Sequence, residues 1–203
     1  MKLYYAPRVR ANRVRWALEE FGVPYDLVAV DLGAGEHRRP EYLAIHPRGR
    51  VPAFVDGEVV LYESGAICMY LADRFSTHGL APAIDSPLRA AYYNWVALAM
   101  SELDPTLKLI SDLRRLREGE RVPVLEQQAV ERWQSDLLLL EATFVDGRAY
   151  LLGADFSVAD VLVGSCVLWS RTLGLGQAPQ VNAYAERLMA RRGYQRANAH
   201  PAS

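Results

Sequence analysis

Residues 50–75, RVPAFVDGEVVLYESGAICMYLADRF, dictate more of this chain's fold than any other stretch. Val51-Pro52 puts a proline where a strand begins, a place proline tolerates because it donates no ladder hydrogen bond. Ala53-Phe54-Val55 and Glu58 to Tyr62 flank Asp56-Gly57, a pair suited to a two-residue hairpin whose turn positions want φ > 0. Glu63-Ser64 follow at once, and Ile67, Tyr70, Leu71 and Phe75 then recur at helical spacing. The pattern predicts a helix starting at or near Ser64, with Ser64 as its N-cap. A helix N-terminus offers free N–H groups and the positive end of the macrodipole, which together hold a small carboxylate. Glu63 beside it can hold an ammonium group, so an anion site and a cation site together fit the α-amino-acid end of a ligand. Taken alone, the segment reads at least as well as a capped helix with Glu63 in solvent.

The preceding residues supply the rest of a small sheet. Lys2 to Tyr5 reads as a strand ended by Ala6-Pro7, and Arg8 to Asn12 as a polar loop. Val14, Ala17, Leu18 and Phe21 mark one helix face, stopped by Gly22 and Val23-Pro24. Tyr25 to Val30 reads as a second strand, so this span is a parallel βαβ unit with a right-handed crossover. Glu41 to Ile45 fits one helical turn. Thr77 to Pro87 has two prolines, a glycine and little periodicity, and marks a boundary. The expected organisation is a sheet-bearing domain over 1–78, a linker over 79–87 and an all-helical domain over 88–203.

In that second part Leu88, Ala91, Tyr92, Trp95 and Ala99 form the face of a long helix that Pro105 bends or ends. Val124 to Phe144 is another helix. Ser157-Val158-Ala159-Asp160 is a capping box, opening a helix through Trp169 that has almost no polar face and so belongs at the centre. Ala178 to Ala190 reads as a final surface helix, with a loosely ordered tail after Tyr194.

At 203 residues and a formal net charge of −1, the chain has room for a sizeable core and no general pull towards nucleic acid or anionic membrane. Its arginines before residue 51 are interleaved with acids and lack an aromatic stacking pattern. No apolar run approaches the ~18 residues that span a bilayer. Met1-Lys2 runs straight into a strand pattern rather than a leader. Cys68 and Cys166 have neither metal nor redox spacing and read as buried thiols. A cytoplasmic location is the expectation.

The ordered string of Val-Pro, hairpin, Glu-Ser and helix resembles the glutathione-binding half of the cytosolic glutathione transferase family. Phe156-Ser157 through Asp160 resembles its buried capping-box helix, and Trp95 with Ser101-Glu102-Leu103 resembles the bacterial, beta-type branch. The resemblance implies an N-terminal thioredoxin-like α/β domain (βαβ-ββα) followed by an all-α domain. It implies a cis bond at Val51-Pro52, with Val51 pairing with the cysteinyl backbone of glutathione and Glu63-Ser64 taking its γ-glutamyl end. His37 and Arg38 lie in the loop where members hold the glycyl carboxylate, with Arg50 placed to assist, and Glu102 matches a glutamate that reaches the partner subunit's glutathione, which implies a homodimer. Glutathione is then a co-substrate, with no metal or nucleotide, and the second substrate is a small hydrophobic electrophile seated between the Val9-Arg10 loop and the Tyr92–Leu109 helix.

The chemistry is attack by a thiolate. A free cysteine thiol titrates near ~8.5, and each unit by which a site lowers that value needs about 1.4 kcal/mol of anion stabilisation. Family members supply a hydroxyl or thiol just after the first strand. Here Arg10 and Ala11 stand where Cys or Ser is expected, and no hydroxyl or thiol lies between Pro7 and Phe21. The substitutes are Tyr5, which beta-type members also carry, Tyr4, which matches the tyrosine-type enzymes with one gap, Arg10 and the Asn12 amide. Strand alternation sends the two tyrosines to opposite faces, while Arg13 and Arg15 read as solvated surface. Three functions fit: a transferase joining glutathione to apolar electrophiles, a glutathione-dependent peroxidase or disulfide reductase, and a non-catalytic dimeric binding module.

Overall fold

The computed structural model describes residues 1–7, 9–176 and 178–199. Arg8, assigned above to the polar loop, lies outside them. The chain forms two compact units, one of Met1–Gly79 together with residues 190–199, the other of Leu80–Met189.

The first unit is built on a four-stranded mixed sheet of order β2-β1-β3-β4. β1 (Lys2–Tyr5) pairs in parallel with β2 (Asp26–Ala29) and antiparallel with β3 (Ala53–Asp56), which pairs with β4 (Val59–Tyr62). Between β1 and β2 runs α1 (Ala11–Phe21), ended by Gly22 at φ 63°, the left-handed cap that favours glycine. The short α2 (Pro40–Leu43) precedes β3, and α3 (Ser64–Arg74) follows β4. This is the expected βαβ-ββα thioredoxin-like order.

Two local expectations shift by one residue. The hairpin turns at Gly57-Glu58, because Asp56 pairs with Val59 as the last rung of the ladder. Its carboxylate accepts from the Tyr70 hydroxyl at 3.0 Å and from Arg74 Nε at 2.7 Å, both on α3, which holds it in the strand. The helix cap also moves. Ser64 is the first helical residue, and Glu63 occupies the N-cap position without a side-chain capping bond.

The chain's closing segment departs furthest from expectation. Residues 195–198 continue α9 (Arg192–Asn198), which packs on α1 in the first unit, while residues 200–203 of the expected tail lie outside the described residues. Glu20 accepts from Arg191 Nε and Nη2, both at 2.9 Å, and from Trp16 Nε1 at 2.8 Å. Glu19 accepts from Arg196 Nε at 2.7 Å and from the Tyr25 hydroxyl at 2.8 Å. Gly193 lies close against the Glu20 side chain, where a Cβ would sit 2.5 Å from Glu20 Cδ. Arg13 and Arg15 are buried rather than solvated, at 5% and 7% exposure, and Arg15 Nη2 donates to the Arg196 carbonyl of α9 at 3.2 Å.

The second unit is helical. α4 (Leu88–Leu98) runs through a π turn (Ala99–Leu103) into α5 (Asp104–Arg115), so Pro105 neither ends nor breaks the run. A proline ring would crowd the carbonyl four residues earlier, and the wider turn immediately before it makes room. α6 (Pro123–Thr143), α7 (Val158–Thr172) and α8 (Pro179–Met189) complete the unit. α7 is central, packing on α4, α5 and α8, and it opens on the expected capping box. Fully buried Asp160 accepts from Leu151 N and Ser157 N, both at 2.9 Å, from Ser157 Oγ at 2.9 Å and from the Tyr184 hydroxyl at 3.0 Å. No helix among the described residues is long and apolar enough to cross a membrane.

Candidate functional site

The hairpin delivers the chain to α3 through an unusual backbone. Glu63 has φ 70°, the sole positive φ on a non-glycine among the described residues. An α-helix leaves its first N–H groups without an intrahelical acceptor. Here the first bond from this turn runs from Ile67 N to Glu63 O, so the amides of Ser64, Gly65 and Ala66 form the open tip. Ser64 is buried at 6% exposure, while the Glu63 side chain is 61% exposed. Amide donors and a carboxylate therefore lie side by side, as the sequence predicts, at an N1 serine instead of an N-cap serine.

Facing this tip is the turn 46–50, HPRGR, which leads into the cis Val51-Pro52 bond. His46 is buried, its ring stacked on Tyr62 at 4.7 Å, and its Nδ1 accepts from Arg48 N at 3.3 Å. Gly49, at φ 54°, passes so close to the 36–38 turn that a Cβ there would sit 2.6 Å from the His37 carbonyl oxygen. Arg48 Nη1 reaches across to Glu63 Oε1 at 3.0 Å. Arg50 is exposed, and its carbonyl accepts from the Tyr42 hydroxyl at 2.6 Å. His37 is half-buried, and its Nδ1 finds no hydrogen-bond partner among the described residues. The structure thus brings His37, Arg50, Val51, Pro52, Glu63 and Ser64 into one neighbourhood. Arg48, His46 and Gly49 belong to it too and were missed. The contact from 48 to 63 spans fifteen positions, and no local pattern announces it.

Burial lowers the His46 pKa below its ordinary value near 6.5, with Arg48 and Arg50 adding to the effect and Glu63 opposing it. The neutral ring is what the folded turn holds. A base with a depressed folded pKa binds fewer protons folded than unfolded, so stability falls as pH drops below about 6.5 towards the folded value. A thermal-denaturation series from pH 7 to 5 is expected to show this loss, and His46→Gln to flatten that part of it.

The two tyrosines take opposite faces of the sheet. Tyr4 packs against the buried cluster of Val30, Tyr42 and Ala53, its ring 5.8 Å from that of Tyr42. Tyr5 lies under the Arg15 guanidinium, 5.7 Å from ring centroid to Cζ. With Asn12, Leu27 and Asn198 it lines a cavity of about 980 Å³ on the α1 side. Asn12 donates from Nδ2 to Asn198 Oδ1 at 2.9 Å, so its amide is engaged with α9. Arg10 is half-buried at the N-cap of α1. Glu102 belongs to the other unit, exposed on the π turn. Its charge helps to raise the pKa of Asp136, after burial, which is the larger cause. Both cysteines are buried and neither is in a disulfide, and burial pushes the Cys68 thiol up to about 12, far from a nucleophile's range.

Residues 1–73 match the family described as glutathione S-transferase, N-terminal domain. Over 201 residues the chain is 32% identical to the disulfide-bond oxidoreductase YfcG of Escherichia coli (strain K12), spanning 93% of this chain and 90% of that one. It is 33% identical over 166 residues to glutathione S-transferase 3 of Zea mays, spanning 79% and 73% of the two chains. Among solved structures, a glutathione transferase from Methylococcus capsulatus superposes with TM-score 0.84 at 30% identity, covering 97% of this chain and 96% of that one. A second, from Burkholderia graminis with two glutathione molecules bound per subunit, gives 0.86 at 26% identity over 98% and 88%. The open helix tip, the cis Val51-Pro52 bond and this likeness over nearly the whole length carry one conclusion: the chain belongs to the glutathione S-transferase family.

Proposed function

We propose that the protein is a glutathione transferase, joining the glutathione sulfur to small, mostly apolar electrophiles. The observation that carries this reading is the open tip of α3 beside the Glu63 carboxylate, set against the turn that ends in Val51-Pro52. In it, the Ser64 and Gly65 amides take the γ-glutamyl carboxylate and Glu63 the ammonium group. Val51 pairs with the cysteinyl main chain, and His37 and Arg50 meet the glycyl carboxylate. The relative from Burkholderia graminis, crystallised with glutathione, supports the ligand. The thiolate attacks the electrophilic carbon, the leaving group departs with its bonding pair, and the thiol proton passes to solvent. Tyr4, Tyr5 and Arg10 are the groups of this chain proposed to stabilise the sulfur anion. Glu102 acts across a homodimer in this reading, and the enzyme works in the cytoplasm.

A second reading, a glutathione-dependent disulfide reductase, is favoured by two observations. Arg10 and Ala11 replace the hydroxyl or thiol that would activate the sulfur, and a relative at 32% identity is named a disulfide-bond oxidoreductase. There the glutathione thiolate attacks a disulfide sulfur and releases the other thiolate. A second glutathione then resolves the mixed disulfide, leaving oxidised glutathione. Calorimetric titration with glutathione tests the shared binding step, and absence of heat at millimolar ligand removes both readings. Turnover of a model aryl halide against turnover of a small disulfide then separates them.

A further inference from the structure

We propose that Arg48 occupies, in the unliganded protein, the cation position that the ligand's ammonium group takes on Glu63, so that binding at this end exchanges one cation for another. The inference rests on the glutathione reading above and adds a residue that sets its specificity. Glu63 sits at the N-cap of α3 yet makes no capping bond, so the helix leaves its carboxylate available. Its carboxylate's one hydrogen-bond partner among the described residues is Arg48 Nη1 at 3.0 Å, a contact that is also an ion pair.

The pair is held together from below. The His46 ring stacks on Tyr62, the residue before Glu63, while its Nδ1 accepts from Arg48 N, so both partners are carried by one stacked support. From above the pair is open, with Arg48 56% and Glu63 61% exposed, and an ammonium group arriving from solvent reaches Glu63 directly. A ligand with a free amino group gives Glu63 a replacement for the guanidinium it gives up. A ligand without one leaves Arg48 in place.

The test is calorimetric affinity of the full chain for glutathione and for N-acetylglutathione, in the wild type, Arg48→Met and Arg48→Lys. An exposed ion pair supplies little, so Arg48→Met is expected to bind glutathione roughly two- to fivefold tighter than the wild type. Affinity for N-acetylglutathione should not change, and Arg48→Lys, which keeps the cation, should match the wild type. Unchanged or weaker glutathione binding by Arg48→Met, with wild-type binding intact, overturns the exchange and leaves the glutathione reading standing. An equal gain for N-acetylglutathione also overturns it, since the effect would then not depend on the amino group. No binding by any form takes down the glutathione reading, and the exchange with it.

Discussion

Asp160→Ala is expected to lower the unfolding free energy by about 4 kcal/mol or more, because it leaves several buried donors without an acceptor at about 1–3 kcal/mol each. The carboxylate is fully buried and accepts from Leu151 N, Ser157 N, Ser157 Oγ and the Tyr184 hydroxyl. It therefore ties together three separate parts of the helical unit: the 150–153 turn, the start of α7 and the middle of α8. Truncation removes the cap of the central helix and the tie to α8 in one step. Whole domains are stable by only about 5–15 kcal/mol, so the loss is a large fraction of the total. Urea denaturation followed by circular dichroism measures it, and a change below about 1 kcal/mol, the size of a single exposed cap, would contradict the buried network.

Gly49→Ala is expected to disable the candidate site while Gly57→Ala at a similar φ does not. Both glycines have left-handed backbones, at φ 54° and φ 60°. A side chain at either costs roughly 1 kcal/mol from the backbone alone. At Gly57 a new Cβ meets nothing within 4 Å, whereas at Gly49 it meets the His37 carbonyl oxygen at 2.6 Å. That neighbour is backbone and cannot rotate away, so the 46–50 turn must lift from the 36–38 turn. Arg48, Arg50 and Val51 move with it. The expected outcome is a further loss of about 1–3 kcal/mol in Gly49→Ala, as for overpacking a tight contact. Glutathione affinity falls at least about tenfold, the equivalent of about 1.4 kcal/mol. Equal melting temperatures for the two variants would show that the turn tolerates the displacement.

Much of this site is legible in the sequence because its signals are local. Val-Pro before a strand, a glycine at a hairpin turn and Glu-Ser before an apolar stripe each report on their own few residues, and the order does the rest. The one-residue slips have tertiary causes: Asp56 is drawn into the ladder by Tyr70 and Arg74 from a later helix. Pro105 reads as a helix break, since the compensating π turn has no sequence signature of its own. α9 is invisible for a related reason. Its sequence, RGYQRAN, is polar and glycine-bearing, and it is helical here through Glu19, Glu20 and Trp16, which lie more than 170 positions earlier. Missing that helix also misplaces Arg15, which donates to the Arg196 carbonyl within it.

The return of the chain to α1 bears on how the protein is made. Residues 80–189 are an interruption within the first unit, so a ribosome must release the whole helical stretch before Arg191 and Arg196 can reach their glutamates. Until then the growing chain carries a sheet whose first helix shows one naked flank, with Trp16 lacking its aromatic neighbour Tyr194. A nascent chain stalled before residue 190 should therefore be far more open to proteolysis around α1 than the finished protein.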